Sequence, residues 1–594
     1  MPDIIQLLPD SVANQIAAGE VIQRPASAVK ELLENAVDAK SKRIEAFIKD
    51  SGKTLIQIID DGSGMSSTDA RMAFERHATS KIRSADDLFS ILTMGFRGEA
   101  LASIAAISQV EIKSRRQEDE LGTYIEIEGN EIKKQEPAGV PAGTSISIKN
   151  LFYNVPARRN FLKTNTIEAK HIIDEFERVA YANPEISFAL NQNGIDIFRL
   201  SASNFRQRIV SINGNTYNER LVPVEEVTSL LSINGFIGKP EFSKKTRGEQ
   251  FFFVNKRFIK DGYLHHAVTK AFEELLPHDS FASYWLCITI DPSRIDVNIH
   301  PTKTEIKFDD ERAIYAIVRA AVKRSLGMYS VTPTLNFEHE KSFDVPYNMR
   351  YQAVPKPALT INTGFNPFDS DNKKIAAAGW QSQRDVSSVI TEKNAALAIT
   401  ETLFTPDEKE FQVFQMGNFL LCPQEDGLLV IDVAAAREKI LYQRFINQLS
   451  SSEVITQQSL FPQTITFSSG DYELVKEITP EIRNLGFDIQ EFGPNSYVIQ
   501  GIPPDVEAVK VKDILESMIE QFKHNSSILS TGIPDKISRS LARSISIRKS
   551  TLLSPPEMKL MVHEIRKMEN HQRNYGGKPF VILLKTADIE GRFR

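Results

Sequence analysis

Glu31, Glu34, Asn35 and Asp38 fall on one face of a single short stretch. Their types suit the handling of a metal-bound phosphate. A carboxylate can orient a water, and an amide oxygen suits a hard cation, so Glu31 and Asn35, one helical turn apart, form a usable pair at a nucleotide site. By frequency alone such a polar face is solvated surface. Asn35 sets this one apart, because it is a mediocre helix former placed mid-helix beside a carboxylate. A second feature is Asp60-x-Gly62-x-Gly64. There an Asp can accept a hydrogen bond from an exocyclic amine, and glycines let the backbone approach a flat ring. Taken alone it is an ordinary strand-end turn. A third is Gly95-Phe96-Arg97-Gly98-Glu99-Ala100-Leu101, whose glycines precede a helical run with backbone N–H groups open to phosphate. Gly143-Thr144 is the weakest of the four.

These residues need elements to hold them. Residues 25–39 read as an amphipathic helix, with Val29, Leu32, Leu33 and Ala36 on the apolar face and Pro25 in the first turn. Strands are expected at 43–49, 55–59, 124–128 and 144–148, with a helix over 70–74 and a mobile loop over 76–97. A second α/β unit spans about 210–325. It holds a buried strand at 251–254, a turn at Asn255-Lys256, a helix over 265–275, a strand at 295–299 and a helix over 313–324. Pro, Asn, Ser and Asp then recur without periodicity, which predicts a flexible linker. The remainder is long enough for another α/β domain.

The 594 residues exceed one core and imply roughly three or four domains. Hydrophobic content of 41% and charged content of 25% are ordinary for a globular protein. A net charge of −6 gives no global sign of nucleic-acid binding, so any such site must be a local basic patch. Cys287 and Cys422 form no metal or disulfide pattern. With no signal sequence and no bilayer-length apolar run, the expected location is the cytoplasm.

In this order, Glu31…Asn35, Asp60-x-Gly62-x-Gly64, Gly95–Glu99 and Gly143-Thr144 resemble the four ATP-binding motifs of the GHKL ATPase superfamily. The flanking Asn14-Gln15-Ile16-Ala17-Ala18-Gly19-Glu20, Arg76-His77-Ala78-Thr79-Ser80-Lys81, Phe152-Tyr153-Asn154-Val155-Pro156-Ala157-Arg158-Arg159 and His300-Pro301-Thr302-Lys303 look like MutL-type DNA mismatch repair proteins. The resemblance covers about residues 1–330. It implies an α/β (α+β) chain with a GHKL (Bergerat) ATPase sandwich at 1–205 and a ribosomal-S5-like α/β transducer at 206–329. A linker at 330–405 and a C-terminal α/β dimerisation domain at 406–594 would follow.

It further implies ATP and Mg²⁺ as cofactors. Glu31 would be the general base, with Glu34 as its rival, and Asn35 the Mg²⁺ ligand. Asp60 would bind the adenine amine over Gly62 and Gly64. Thr79, Ser80, Lys81, Gly95, Phe96, Arg97, Gly98, Glu99, Ala100, Leu101 and Thr144 would line the nucleotide, and Lys303 would reach the γ-phosphate from the second domain. The implied partners are a second copy of the chain, a MutS-type mismatch-recognition protein, double-stranded DNA, and a helicase or nuclease, with no membrane. The setting would be the nucleoid. Arg158, Arg159, Lys256, Arg257 and Lys260 are the positions expected to face DNA, although for each one scattered solvated charge is as good a reading.

In the C-terminal part, residues 427–443 line up with the family's metal-binding endonuclease motif. Asp432 and Glu438 persist, but Ala434 and Gln443 replace ligands, and Asn574–Pro579 and Ala542-Arg543-Ser544 lack the family's Cys and His. A two-metal nuclease needs several such ligands, so no intrinsic endonuclease is expected. Gln457, Leu460 and Pro462 fit a Gln-x-x-Leu-x-Pro pattern like a sliding-clamp-binding peptide, or simply open a core strand. The rival functions are a nicking endonuclease, a chaperone or topoisomerase-like ATPase, and a histidine kinase. For the last two, no strand-cleaving tyrosine domain and no phospho-acceptor helix can be recognised.

Overall fold

The computed structural model describes residues 10–82, 93–95, 98–277, 279–296, 305–330, 412–424, 427–451, 454–493, 495–528, 532–546, 552–568 and 579–591. It opens with α1 (Asp10–Val21) and α2 (Pro25–Asp38). Pro25 suits the first turn because its missing N–H would find no partner there anyway. The stripe of Val29, Leu32, Leu33 and Ala36 is buried, as the spacing predicts.

Then come β1 (Arg43–Lys49), β2 (Leu55–Asp60), α3 (Ser67–Met72), α4 (Ala100–Ile107), β3 (Gln109–Arg115), β4 (Gly122–Glu128), β5 (Glu131–Ala138) and β6 (Gly143–Lys149). After α5 (Pro156–Phe161) and α6 (Asn165–Ala182), β7 (Ser187–Gln192) and β8 (Ile195–Leu200) complete an eight-stranded sheet. Its order is β5-β4-β3-β6-β2-β1-β7-β8, antiparallel except where β7 runs parallel to β1. Alternate residues such as Ile44, Ala46, Ile48, Ile56 and Ile58 point to one face, the period-two signature of a strand. There they form one core with the stripe of α2 and with Ile172, Ile173 and Phe176 of α6. The helix expected over 70–74 lies earlier, at α3, because the Ser66 side chain accepts from the Asp69 amide and fixes the start.

The second region contains α7 (Phe205–Asn213), α8 (Tyr217–Arg220), β9 (Leu221–Val227), β10 (Leu231–Gly238), β11 (Gln250–Val254), β12 (Arg257–Ile259), α9 (Gly262–Phe272), β13 (Tyr284–Ile290), β14 (Ile295–Asp296), β15 (Lys307–Phe308) and α10 (Glu311–Ser330). Strands in the order β12-β11-β13-β10-β9 share a core with α9 and α10. Most of the expected linker lies outside the described residues.

Beyond it come β16 (Phe414–Met416), β17 (Phe419–Gln424), β18 (Gly427–Asp432), β19 (Gln457–Thr466), β20 (Asp488–Glu491), β21 (Ser496–Ile502) and β22 (Val581–Lys585). The described chain divides into two compact units. One holds residues up to 332 together with 432–551 and 560–580. Within it β19-β21-β20 form a sheet, and helix Ser469–Asn484 brings a buried Asp471 onto Lys170 of α6 and Lys523. The other unit carries the sheet β16-β17-β18-β22. Among the described residues no helix is long and apolar enough to cross a membrane.

Candidate nucleotide-binding site

Asp60 ends β2 directly opposite Thr144 on β6. The chain breaks sharply after it, and the Asp60 carboxylate holds the break. Its Oδ1 accepts from the Gly62 amide at 2.8 Å and from the Ser41 hydroxyl at 3.2 Å. Burial pushes the Asp60 carboxyl up to about 6, although these bonds and one from the Thr144 backbone pull the other way. Gly64 has φ +65°, and a β-carbon there would come within 2.1 Å of the Arg115 carbonyl. Ser114 ties the loop to the sheet: its hydroxyl accepts from the Met65 amide at 2.9 Å and lies 2.9 Å from the Thr144 hydroxyl.

The polar face of α2 meets the segment that follows it in space. Lys81 donates to Asn35 Oδ1 at 3.0 Å and to Asp38 Oδ2 at 2.5 Å. The Lys81 amide is in turn held by the Thr79 hydroxyl at 3.2 Å, and Ser80 between them is exposed. The Asp38 carboxylate also accepts from the Met94 and Gly95 amides, each at 3.0 Å. A β-carbon on Gly95 would stand 3.0 Å from Lys81 Nζ and 3.4 Å from Asn35 Oδ1, so this backbone lies directly over the pair. Glu34 is buried and sits 3.7 Å from Lys30, while Glu31 is half-buried on the Asn35 side. Gly98, at φ +64°, accepts from the His77 amide at 3.1 Å, and Glu99 precedes α4, whose first residues are Ala100 and Leu101. Phe96, Arg97 and Lys303 lie outside the described residues.

Residues 23–157 match the family described as histidine kinase-, DNA gyrase B- and HSP90-like ATPase. Residues 209–327 match the DNA mismatch repair protein C-terminal domain, and 413–553 the MutL C-terminal dimerisation domain. The DNA mismatch repair protein MutL of Christiangramia forsetii is 48% identical over 616 residues, and that of Flavobacterium johnsoniae 43% identical over 644, each covering 100% of both chains. The chain belongs to the MutL family. It is a DNA mismatch repair protein with a GHKL-type ATPase domain and a C-terminal domain that supports a homodimer. Among solved structures, the Aquifex aeolicus MutL ATPase domain with ADP is 24% identical, with a TM-score of 0.36, over 50% of this chain and 98% of that one.

The positions expected to face DNA in this MutL family member divide. Arg159 and Lys260 are exposed, and Lys256 is exposed with its ammonium on Glu185 at 2.5 Å. Two others lie against the chain itself. The Arg158 guanidinium lies over Gly19 of α1, within 1.4 Å of where a β-carbon would be. Arg257 turns inward, and its Nη2 donates to the Thr93 carbonyl at 2.9 Å and the Met94 carbonyl at 3.1 Å. Burial lowers the pKa of Arg257, and the nearby Glu34, Glu31 and Asp38 oppose that. Charge alone does not reveal this placement of Arg257, and no sequence motif singles out Ser41 or Ser114.

In the C-terminal part, Asp432 caps helix Val433–Ser450 by accepting from the Ala435 amide at 3.1 Å. Burial raises the pKa of Glu438 against the pull of Arg543. Gln443 donates to Asn447, and residues 574–578 lie outside the described ones. Among the described residues no group of three or more His, Cys, Asp or Glu is placed to hold a metal. On β19 the pairing with β21 slips between Gln458 and Gln463, so Gln457 stays in the ladder opposite Ile502 while Ser459–Pro462 lie in the irregular stretch. Leu460 and Phe461 there are 92% and 82% exposed, which is not how residues opening a core strand behave.

Proposed function

We propose that Mg–ATP binds between the Asp60 loop, the polar face of α2 and the start of α4, and that Glu31 is the general base. The observation that carries this reading is the cation already seated on Asn35. An ammonium, Lys81 Nζ, is shared there by an amide oxygen and the Asp38 carboxylate. That donor set suits Mg²⁺, with Asn35 as the protein ligand. The ion would neutralise phosphate charge as it develops. Asp60 accepts from the adenine amine, Gly62 and Gly64 admit the ring, and the Gly95 and Gly98 backbone lies on the phosphate side. Glu31, on the Asn35 side of the helix, orients the attacking water, whereas Glu34 pairs with Lys30. Lys303 would reach the γ-phosphate from the second domain.

In this reading ATP binding brings two N-terminal domains together while the C-terminal domains stay paired, and the chains enclose double-stranded DNA near the nucleoid. The cycle couples a MutS-type protein to a helicase or nuclease supplied by another chain. The exposed Gln457, Leu460 and Pro462 fit a sliding clamp. Asp432 serves as a helix cap and the aligned ligands are replaced, so the chain itself does not nick DNA. The deciding experiment compares the native chain with Glu31→Ala. The variant should bind ATP with near-native affinity and hydrolyse it at least about 100-fold more slowly. Native hydrolysis by Glu31→Ala would remove Glu31 as the base. Nicking of supercoiled plasmid in Mn²⁺ would overturn the nuclease-free reading.

A further inference from the structure

Arg257 sits where a basic residue of a DNA-facing domain would be expected to point outward, yet its guanidinium is committed to two backbone carbonyls. The commitment is built by the local fold. Asn255 and Lys256 form the two-residue turn between β11 and β12, with φ +48° and +67°, the left-handed pair that matches the twist of a hairpin. Three bonds lock the tip of that hairpin to β13. The Asn255 amide donates to the Ile288 carbonyl at 2.9 Å, its Nδ2 donates to the Ile290 carbonyl at 2.9 Å, and its Oδ1 accepts from the Ile290 amide at 3.1 Å. On the other side of Arg257, the ring of Phe258 carries the Arg178 guanidinium of α6 at 4.4 Å. Arg257 therefore leaves a rigid tip in a fixed direction.

What it meets there is specific. The Thr93 carbonyl belongs to the same peptide group as the Met94 amide, and the Met94 carbonyl to the same group as the Gly95 amide. Arg257 holds both carbonyls, and Asp38 holds both amides. Two successive peptide dipoles thus lie between a cation at their negative ends and an anion at their positive ends. Asp38 is in turn bonded to Lys81, which also holds Asn35.

We infer that Arg257 is a positioning residue for ATP hydrolysis: it fixes the Thr93–Gly95 backbone from the second domain and, through Asp38, sets the place of Asn35. This rests on the nucleotide site proposed above and assigns one of its controls to the second domain. Both bonds come from Nη2, whose two N–H groups are held in the guanidinium plane, whereas a lysine ammonium on its flexible stem has no such fixed donor directions.

The test uses the full-length chain with Arg257→Met and Arg257→Lys. Amide exchange at Met94 and Gly95 is read by hydrogen exchange, beside ATP affinity, turnover and affinity for double-stranded DNA. Arg257→Met should raise exchange at these two amides about tenfold or more, raise KM for ATP and lower kcat, while DNA affinity changes less than twofold. Arg257→Lys should recover part of the protection and part of the turnover. Asp38→Asn, alone and combined with Arg257→Met, keeps the inference testable should one variant fold poorly, because the two substitutions should be strongly non-additive in exchange at Met94. Native exchange at both amides in Arg257→Met, with DNA affinity lost instead, would overturn the inference and make Arg257 a DNA contact. If the native chain itself fails to bind ATP, the nucleotide site falls, whereas the exchange readout still judges the clamp on Thr93–Gly95.

Discussion

Asp38 and Arg257, 219 positions apart in the chain, hold the same two peptide groups from opposite ends. The carboxylate comes from the last turn of α2 and the guanidinium from the hairpin of β11 and β12. Hydrogen bonds to ionised groups are stronger than neutral ones, and here four of them converge on two peptide groups. The backbone next to Asn35 is held by both domains.

Asp60→Asn should separate nucleotide affinity from folding. Oδ1 already accepts from Gly62 and Ser41, so the introduced NH₂ takes the other oxygen's place and opposes the adenine amine donor-to-donor. Affinity for ATP should fall by about 1.5–3 kcal/mol, roughly 10- to 150-fold, with little loss of stability because a buried charge has been removed. Isothermal titration beside thermal unfolding measures both. Equal ATP affinity in the two proteins would remove Asp60 from the adenine contact.

Gly64→Ala should do the reverse and strain the fold first. The position has φ +65°, and its added carbon would overlap the Arg115 carbonyl, which is backbone and cannot swing aside. A loss of about 2 kcal/mol or more is expected, visible as a lower denaturation midpoint in urea.

Much of this arrangement was legible in the sequence, and each part that was not has a physical reason. The apolar stripe of α2, the break after Asp60 and the strand at 43–49 are local, set by spacing along a few residues. The clamp on Thr93–Gly95 depends on Arg257, which is more than 160 positions away, and no local pattern encodes such a pairing. Helix α6 escaped notice for another reason. Its stripe of Ile172, Ile173, Phe176 and Val179 also buries Glu168 and Glu177, which break the binary pattern that marks a helix. The bulge at Gln458–Gln463 is likewise a property of strand pairing, not of composition.

Glu177 gives a pH signature. Burial pushes its carboxyl up to about 8, with Asp174 adding to the rise and Ser469, Lys170 and Arg178 opposing it. The folded chain therefore keeps a proton that the unfolded chain releases above its ordinary value of 4.5. That contribution to stability is fully present below 4.5 and is lost as pH rises through about 8. Melting temperature should fall across this window in the native chain and fall less in Glu177→Gln. Parallel profiles for the two proteins would count against the assignment.

The exposed pair on β19 allows a test in the opposite direction. Leu460→Ala with Phe461→Ala should leave stability within about 0.5 kcal/mol, because neither side chain is buried. The same variant should lose measurable binding to a sliding clamp in surface plasmon resonance. Unchanged clamp binding would leave the Gln457–Pro462 stretch without that partner.

Asp60 faces Thr144 across an antiparallel ladder in which six residue pairs run from Leu55–Lys149 to Asp60–Thr144. Side chains alternate between faces along a strand, so a slip of a single residue would turn Thr144 away from Asp60 and away from Ser114. The wall proposed for adenine is therefore decided when β2 and β6 zip together, before any nucleotide is present. ATP capture by freshly refolded chains would then count the molecules that zipped in the native frame, and a misaligned fraction would show as a reduced number of binding sites with undiminished affinity in the remainder.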